Sequence, residues 1–192
     1  DFDTKADVYV INTCDVTNES GRKSRQIIRK ANRKNPSAKV AVVGCYAQME
    51  PNEVLSLPGV SVIVGTKDRH LIVDLVEEAE QSDEQVMAVG DIMKQRAFEE
   101  IAFKGHRQKT RAFLKIQEGC NMFCSYCIIP YARGPIRSRT IDSILAETEN
   151  LSKDGFKEVV LTGIHLGLYG YDFKTEKNNL LDVISGISQI NG

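Results

Sequence analysis

Three short apolar runs, DVYVI at 7–11, KVAVV at 39–43 and VSVIV at 60–64, recur in the first third of the chain with helix-length stretches between them. Runs of this length that do not alternate with polar residues suit strands buried on both faces. A helix is expected over about 18–34, with Ile27, Ile28 and Ala31 turned inward and Pro36 ending it. Pro51 can open a short helix, and Leu71, Ile72, Leu75, Val76 and Ala79 recur at helical spacing over about 68–80. Such alternation predicts an α/β fold whose parallel sheet is covered on both faces.

The pattern lapses over 81–110, a polar and weakly periodic stretch that reads as a linker carrying one strand candidate, Val86 to Val89. A second alternation starts with AFLKIQ at 112–117. Thr140 can cap a helix over about 141–153, with Ile144, Leu145 and Leu151 on one face and Gly155 ending it. A strand at 157–162 and a helix near 179–190 follow. The expected organisation is a first α/β domain at 1–80, a linker at 81–110 and a second domain at 111–192. Two strand–helix units cannot close a barrel, so the second domain reads as cut short.

Hydrophobic residues make up 42% and charged residues 27%, as in a chain that buries an ordinary core. No apolar run approaches the roughly 18 residues of a membrane span, and the first residues lack a secretory signal. A cytoplasmic protein without a membrane partner is expected. The net charge of −1 hides local clusters. Arg22, Lys23, Arg25, Arg29, Lys30, Arg33, Lys34 and Lys39 occur without an acid among them, and Lys104, Arg107, Lys109, Arg111 and Lys115 form a second group. Either group can neutralise phosphates or serve as a solvated face.

The cysteines carry the sharpest chemical signal. In EGCNMFCSYCIIPYARG, residues 118–134, Cys120, Cys124 and Cys127 follow a Cys-x3-Cys-x2-Cys spacing directly after an apolar strand. Thiolates are soft ligands suited to iron–sulfur clusters, and three of them on a cubane leave one iron open. An open iron can take the amino and carboxylate groups of S-adenosylmethionine (SAM), whose C–S bond one electron then cleaves. A zinc site would want a fourth Cys or His, and none lies between Cys127 and His165. A bacterial ferredoxin motif would add a fourth Cys and a Pro, which are missing. Cys14 and Cys45 each follow a predicted parallel strand, at the edge where ligands gather in open sheets. They are either small buried residues or parts of a second metal site.

Taken together, INTCDVT, VVGCYAQ and EGCNMFCSYCIIPYARGPIRSR resemble the methylthiotransferase family of radical SAM enzymes over nearly the whole chain. The resemblance implies an N-terminal parallel-sheet methylthiotransferase domain, then the first part of a radical SAM partial (β/α) barrel. It implies two [4Fe–4S] clusters in the full-length enzyme. One is on Cys120, Cys124 and Cys127. The other, auxiliary, has Cys14 and Cys45 as its second and third ligands, with the first expected upstream of Asp1. The segment EVVLTGIHLGLYGYD, 158–172, is similar to the branch that adds a methylthio group to C2 of N6-threonylcarbamoyladenosine at position 37 of tRNA. The alternatives are the isopentenyladenosine-37 branch, the branch acting on a ribosomal protein, and a non-enzymatic iron–sulfur electron-transfer module.

The family's reaction implies reductive cleavage of SAM to a 5′-deoxyadenosyl radical, activation of the adenine C2–H bond, sulfur from the auxiliary cluster and methyl from a second SAM. Its partners are tRNA and an external electron donor. Thr162 and Gly163 occupy the region where radical SAM barrels contact the SAM amino group, although the common Gly-Gly-Glu is absent. Phe123 and Tyr126 either shield the cluster or fill the barrel top. Arg133, Arg137 and Arg139 either reach phosphates or the SAM carboxylate, or decorate a loop. His165 either faces substrate or is an ordinary loop residue, and His70 and His106 have no context that assigns them a role. No side chain is assigned as catalytic.

Overall fold

The computed structural model describes residues 4–14, 16–100, 110–175 and 178–190. In chain order the elements are β1 (Val8–Thr13), α1 (Asn18–Lys34), β2 (Lys39–Gly44), α2 (Cys45–Met49), α3 (Pro51–Leu55), β3 (Val60–Val64), α4 (Ile72–Ser82) and β4 (Val86–Ala88). They continue with β5 (Arg111–Lys115), β6 (Gln117–Glu118), α5 (Ile129–Arg133), β7 (Arg137–Ser138), α6 (Ile141–Lys153), β8 (Glu158–Thr162) and α7 (Leu180–Ser188). Two compact units result. The first joins the residues up to Gln95 with Cys124–Arg133, and the second joins Arg96–Phe123 with the residues from Gly134 onward.

In the first unit the sheet runs β1-β2-β3-β4, with every pairing parallel. Tyr9, Ile11, Val40 and Val42 face Ile28 and Ala31 of α1, Tyr46 and Ala47 of α2 and Val54 of α3. On the opposite face Ala41, Val43, Val62 and Val64 meet Val76 and Ala79 of α4. The expected cover on both faces therefore holds for β2 and β3. Edge strand β1 is only partly covered on the α4 side: Val8 packs against the α4 cluster, whereas Val10 keeps 54% of its surface. The stretch read as a linker supplies β4, whose Val86 pairs with Val62.

Helix α1 starts at a capping box. Thr17 Oγ1 accepts from the Ser20 N–H, and Ser20 Oγ accepts from the Thr17 N–H, each at 3.1 Å. Its buried stripe is Gly21, Ser24, Ile28 and Ala31, at spacings of three and four. Ile27, expected inward, lies outside that stripe and is exposed. At the other end Asn35 Nδ2 donates to the Ala6 carbonyl at 2.9 Å, tying the end of α1 to the chain entering β1.

In the second unit β5 and β8 pair in parallel, from Arg111 opposite Glu158 to Lys115 opposite Thr162. Leu114 and Ile116 pack with Ile144 of α6, Val183 of α7 and Tyr169. Complete burial of a side chain such as Ile144 contributes about 2–3 kcal/mol. Helix α6 begins after Thr140, as expected, but its cap is the backbone: the Thr140 carbonyl accepts from the Ile144 N–H, and no side-chain capping bond forms. At its far end Gly155 takes φ +89° while the Phe156 N–H returns to the Leu151 carbonyl at 3.1 Å. The two-residue strands β6 and β7 form an antiparallel pair, Gln117 opposite Ser138 and Glu118 opposite Arg137.

Candidate functional site

The last residue pair of β1 and β2 is Thr13 opposite Gly44. Cys14 and Cys45 are the next residues on two adjacent parallel strands, so they leave the sheet side by side at its C-terminal edge. Gly44 makes the turn into α2 with φ +103°, and a β-carbon there would lie 2.4 Å from the Thr13 carbonyl oxygen. Thr13 Oγ1 donates to the Val43 carbonyl at 2.6 Å. Cys14 is exposed, with its carbonyl accepting from Ser24 Oγ at 3.2 Å, whereas Cys45 is buried. Beside Cys45, burial pushes the Tyr46 phenol above its ordinary pKa, opposed by a hydrogen bond from Arg25 at 3.2 Å.

The three-cysteine loop is closed at its base in the second unit. Gly119 has φ +71°, and a β-carbon would lie 2.0 Å from the Pro135 carbonyl oxygen. The Cys120 N–H donates to the Gly134 carbonyl at 3.1 Å, and Asn121 Oδ1 accepts from the Ile136 N–H at 3.0 Å. Cys120 is buried.

Cys124 and Cys127 belong to the first unit, where the Cys127 N–H donates to the Cys124 carbonyl at 2.9 Å. The helix that follows them, α5, packs on α2. Thr66 Oγ1 donates to the Ala132 carbonyl at 2.7 Å. Gln48 Oε1 accepts from the Thr66 N–H, and Gln48 Nε2 donates to the Gly90 carbonyl, each at 3.0 Å. The segment carrying Cys124 and Cys127 is thereby bonded to the same sheet edge that Cys14 and Cys45 follow.

All five cysteines are thiols rather than disulfides. Among the described residues no three His, Cys, Asp or Glu side chains gather closely enough to hold a single metal ion. A cubane spreads its thiolates over different irons. From Cys120 to Gly134 the loop holds no His, Asp or Glu, so its donors are sulfur alone. This donor set fits an iron–sulfur cluster.

At the end of β8 the Thr162 carbonyl accepts from the Ile116 N–H at 2.9 Å. Gly163 and His165 follow in an exposed turn. The loop beyond is fastened to β7. Asp172 accepts from the Ser138 N–H at 2.8 Å and from Ser138 Oγ at 2.5 Å, the Gly170 N–H donates to Ser138 Oγ, and Tyr169 Oη donates to the Arg139 carbonyl.

The remaining candidates separate clearly. Arg139 is buried in an ion pair with Glu147, with Nε bonded to Ser143 Oγ at 3.0 Å, and Arg137 is buried with Nη1 on the Pro135 carbonyl at 2.8 Å. Neither guanidinium presents itself to a phosphate. Arg133 is half-buried in α5, and Phe123 and Tyr126 are exposed. In the first basic group Arg22 and Lys23 pair with Glu19, Arg25 with Glu53, and Lys39 with Asp83. In the second, Arg111 pairs with Glu158 and Lys115 with Glu118, while Lys104, Arg107 and Lys109, like His106, lie outside the described residues. His70 is exposed in the short turn before α4.

Sequence reasoning passed over Gln48, Thr66 and Gln117. The signal for Gln117 was present: two polar residues, Gln-Glu, stand between an apolar strand and Gly-Cys, and both are buried.

Residues 1–65 match the uncharacterized protein family UPF0004, and residues 114–187 match the radical SAM superfamily. The threonylcarbamoyladenosine tRNA methylthiotransferase MtaB of Bacillus subtilis is 49% identical over 174 residues, which is 91% of this chain and 39% of that protein. Its namesake from Aquifex aeolicus is 41% identical over 100% of this chain and 46% of its own length. A tRNA-2-methylthio-N(6)-dimethylallyladenosine synthase from Staphylococcus haemolyticus is 35% identical over 97% of this chain and 37% of its own. The chain thus spans less than half the length of these relatives. In fold it is similar to the radical SAM methyltransferase TsrM of Kitasatospora setae, with a TM-score of 0.58 at 14% identity, over 86% of this chain and 38% of that one.

Proposed function

The chain belongs to the radical SAM methylthiotransferase family, and we propose that it is part of an enzyme adding a methylthio group to C2 of N6-threonylcarbamoyladenosine at position 37 of tRNA. The observation that carries this reading is the 49% identity, over 91% of the chain, to a protein of that name. The sulfur-only loop of Cys120, Cys124 and Cys127 supports it.

In this reading those three thiolates hold a [4Fe–4S] cluster, and Cys14 and Cys45 are two ligands of an auxiliary one. The SAM-binding cluster, when bound, supplies the electron that cleaves the C–S bond of SAM. The chain's own residues hold and orient. The Cys120 N–H bond to Gly134 and the Asn121 bond to Ile136 fix the loop's base, and the Thr66 bond to Ala132 fixes its far side. Thr162 and Gly163 offer the strand end against which SAM is seated. The bonds of Ser138 and Asp172 hold the loop that follows β8 in place. The substrate, tRNA, makes the cytoplasm the place of work, and an external one-electron donor is required. Among the described residues no helix is long and apolar enough to cross a membrane.

The test is mass spectrometry of nucleosides from the tRNA of cells lacking the gene, complemented with the full-length protein. Restoration of 2-methylthio-N6-threonylcarbamoyladenosine is expected. Restoration of the 2-methylthio-dimethylallyl nucleoside instead would move the protein to the branch of its 35% identical relative.

A further inference from the structure

Gln117 is completely buried between the entrance of the three-cysteine loop and the turn after β8, all within the second unit. Its amide is fully engaged. Nε2 donates to the carbonyls of Glu118 at 3.0 Å and Gly119 at 2.7 Å, and Oε1 accepts from the His165 N–H at 2.9 Å. Gly119 immediately precedes Cys120, and His165 lies two residues beyond Gly163. One side chain therefore links the backbone that delivers the first thiolate to the backbone that ends β8.

The surroundings leave little room for another residue. A β-carbon on Gly163 would approach both Cβ and Oε1 of Gln117 to 2.9 Å. On its other side Gly119 is held against the Pro135 carbonyl, so the loop entrance cannot swing away freely. A carboxylate at position 117 would turn an oxygen toward two carbonyl oxygens, and an apolar side chain would leave the His165 N–H without its acceptor.

We propose that Gln117 is a positioning residue that sets the separation between the cluster on Cys120 and the SAM-seating strand end at Thr162–Gly163, touching neither cluster nor SAM. The assignment rests on the functional reading above. It differs from a purely structural role in what it predicts: the thiols should still load their cluster, while SAM should meet that cluster poorly.

The experiment uses full-length protein reconstituted anaerobically, as wild type, Gln117→Glu, Gln117→Met and Gly163→Ala. Iron and sulfide content, thermal unfolding and the EPR spectrum of the reduced cluster are measured during a SAM titration. In the variants, wild-type iron and sulfide content is expected, with the SAM concentration for half-maximal spectral change raised about tenfold or more, the equivalent of one misplaced hydrogen-bonding group. Gly163→Ala keeps a glutamine at 117 but brings a β-carbon to 2.9 Å from its Cβ and Oε1, so it disturbs the same link from the other side and still reports if a position-117 variant fails to fold. Unchanged SAM midpoints in the folded variants would overturn the assignment, as would loss of the cluster in all of them. A wild-type cluster indifferent to SAM would overturn the functional reading itself, and this assignment with it.

Discussion

Gly44→Ala is the substitution that most directly tests how the sheet presents its cysteines. The native backbone has φ +103°, which an L side chain adopts only at a cost of about 1–3 kcal/mol. The new β-carbon would also stand 2.4 Å from the Thr13 carbonyl oxygen and 2.7 Å from Asn12 Oδ1. The first of these is strand backbone, so relief requires β1 and β2 to separate at their last pair. Strain and lost pairing together destabilise the edge by about 2–4 kcal/mol. Hydrogen exchange on the full-length protein reads this locally: protection across Val10–Thr13 and Val42–Gly44 should fall by about 30- to 700-fold. Cys45 should be displaced from Cys14, lowering iron bound at the auxiliary site while the Cys120 loop keeps its cluster. Wild-type protection in β1 and β2 would refute the argument from backbone conformation. Wild-type auxiliary iron despite lost protection would refute the role given to the Thr13–Gly44 pair.

Three further outcomes follow from single contacts. Thr66→Val removes the hydroxyl that donates to Ala132 and should speed exchange of the α5 amides about tenfold, leaving β1–β3 protected. Arg139→Ala removes the buried guanidinium that pairs with the half-buried Glu147 carboxylate, so it should destabilise the second unit by about 2 kcal/mol, read in urea unfolding; the salt dependence of tRNA binding should not change. The Lys39 ammonium holds the Asp83 carboxyl below its ordinary pKa. Stability from that pair is present above the unfolded carboxylate pKa and fades as pH falls through the lower folded value. Asp83→Asn should therefore lower stability slightly at neutral pH, leave the acid end unchanged and so flatten the acid limb of the profile.

What could be read in the sequence was what is written locally. The strands at 39–44 and 60–64 are legible because short runs rich in valine and isoleucine have few other uses, and the 18–34 helix because its length lies between two such runs and a proline stops it. The sulfur-only loop is legible because its chemistry depends on residue type and spacing alone. The exposure of Val10 on β1 was not, since that depends on strand order and on how far α4 reaches across the sheet. Gln117 was hidden because its acceptor role is toward a backbone 48 residues away. For Arg139 the sequence left a phosphate or SAM contact and a plain loop position open, because the pairing with Glu147 depends on how the 141–153 helix turns its side chains toward its own entrance.

On a cubane held by the three thiolates of Cys120, Cys124 and Cys127, one iron is left open to SAM. The direct measurement is the EPR spectrum of the reduced, anaerobically reconstituted full-length protein before and after SAM is added. With Cys14 and Cys45 replaced by alanine to isolate the loop's cluster, a [4Fe–4S]⁺ signal should remain, shift on adding SAM, and disappear in Cys124→Ala. A signal that survives Cys124→Ala, or that SAM leaves unaltered, would contradict the account.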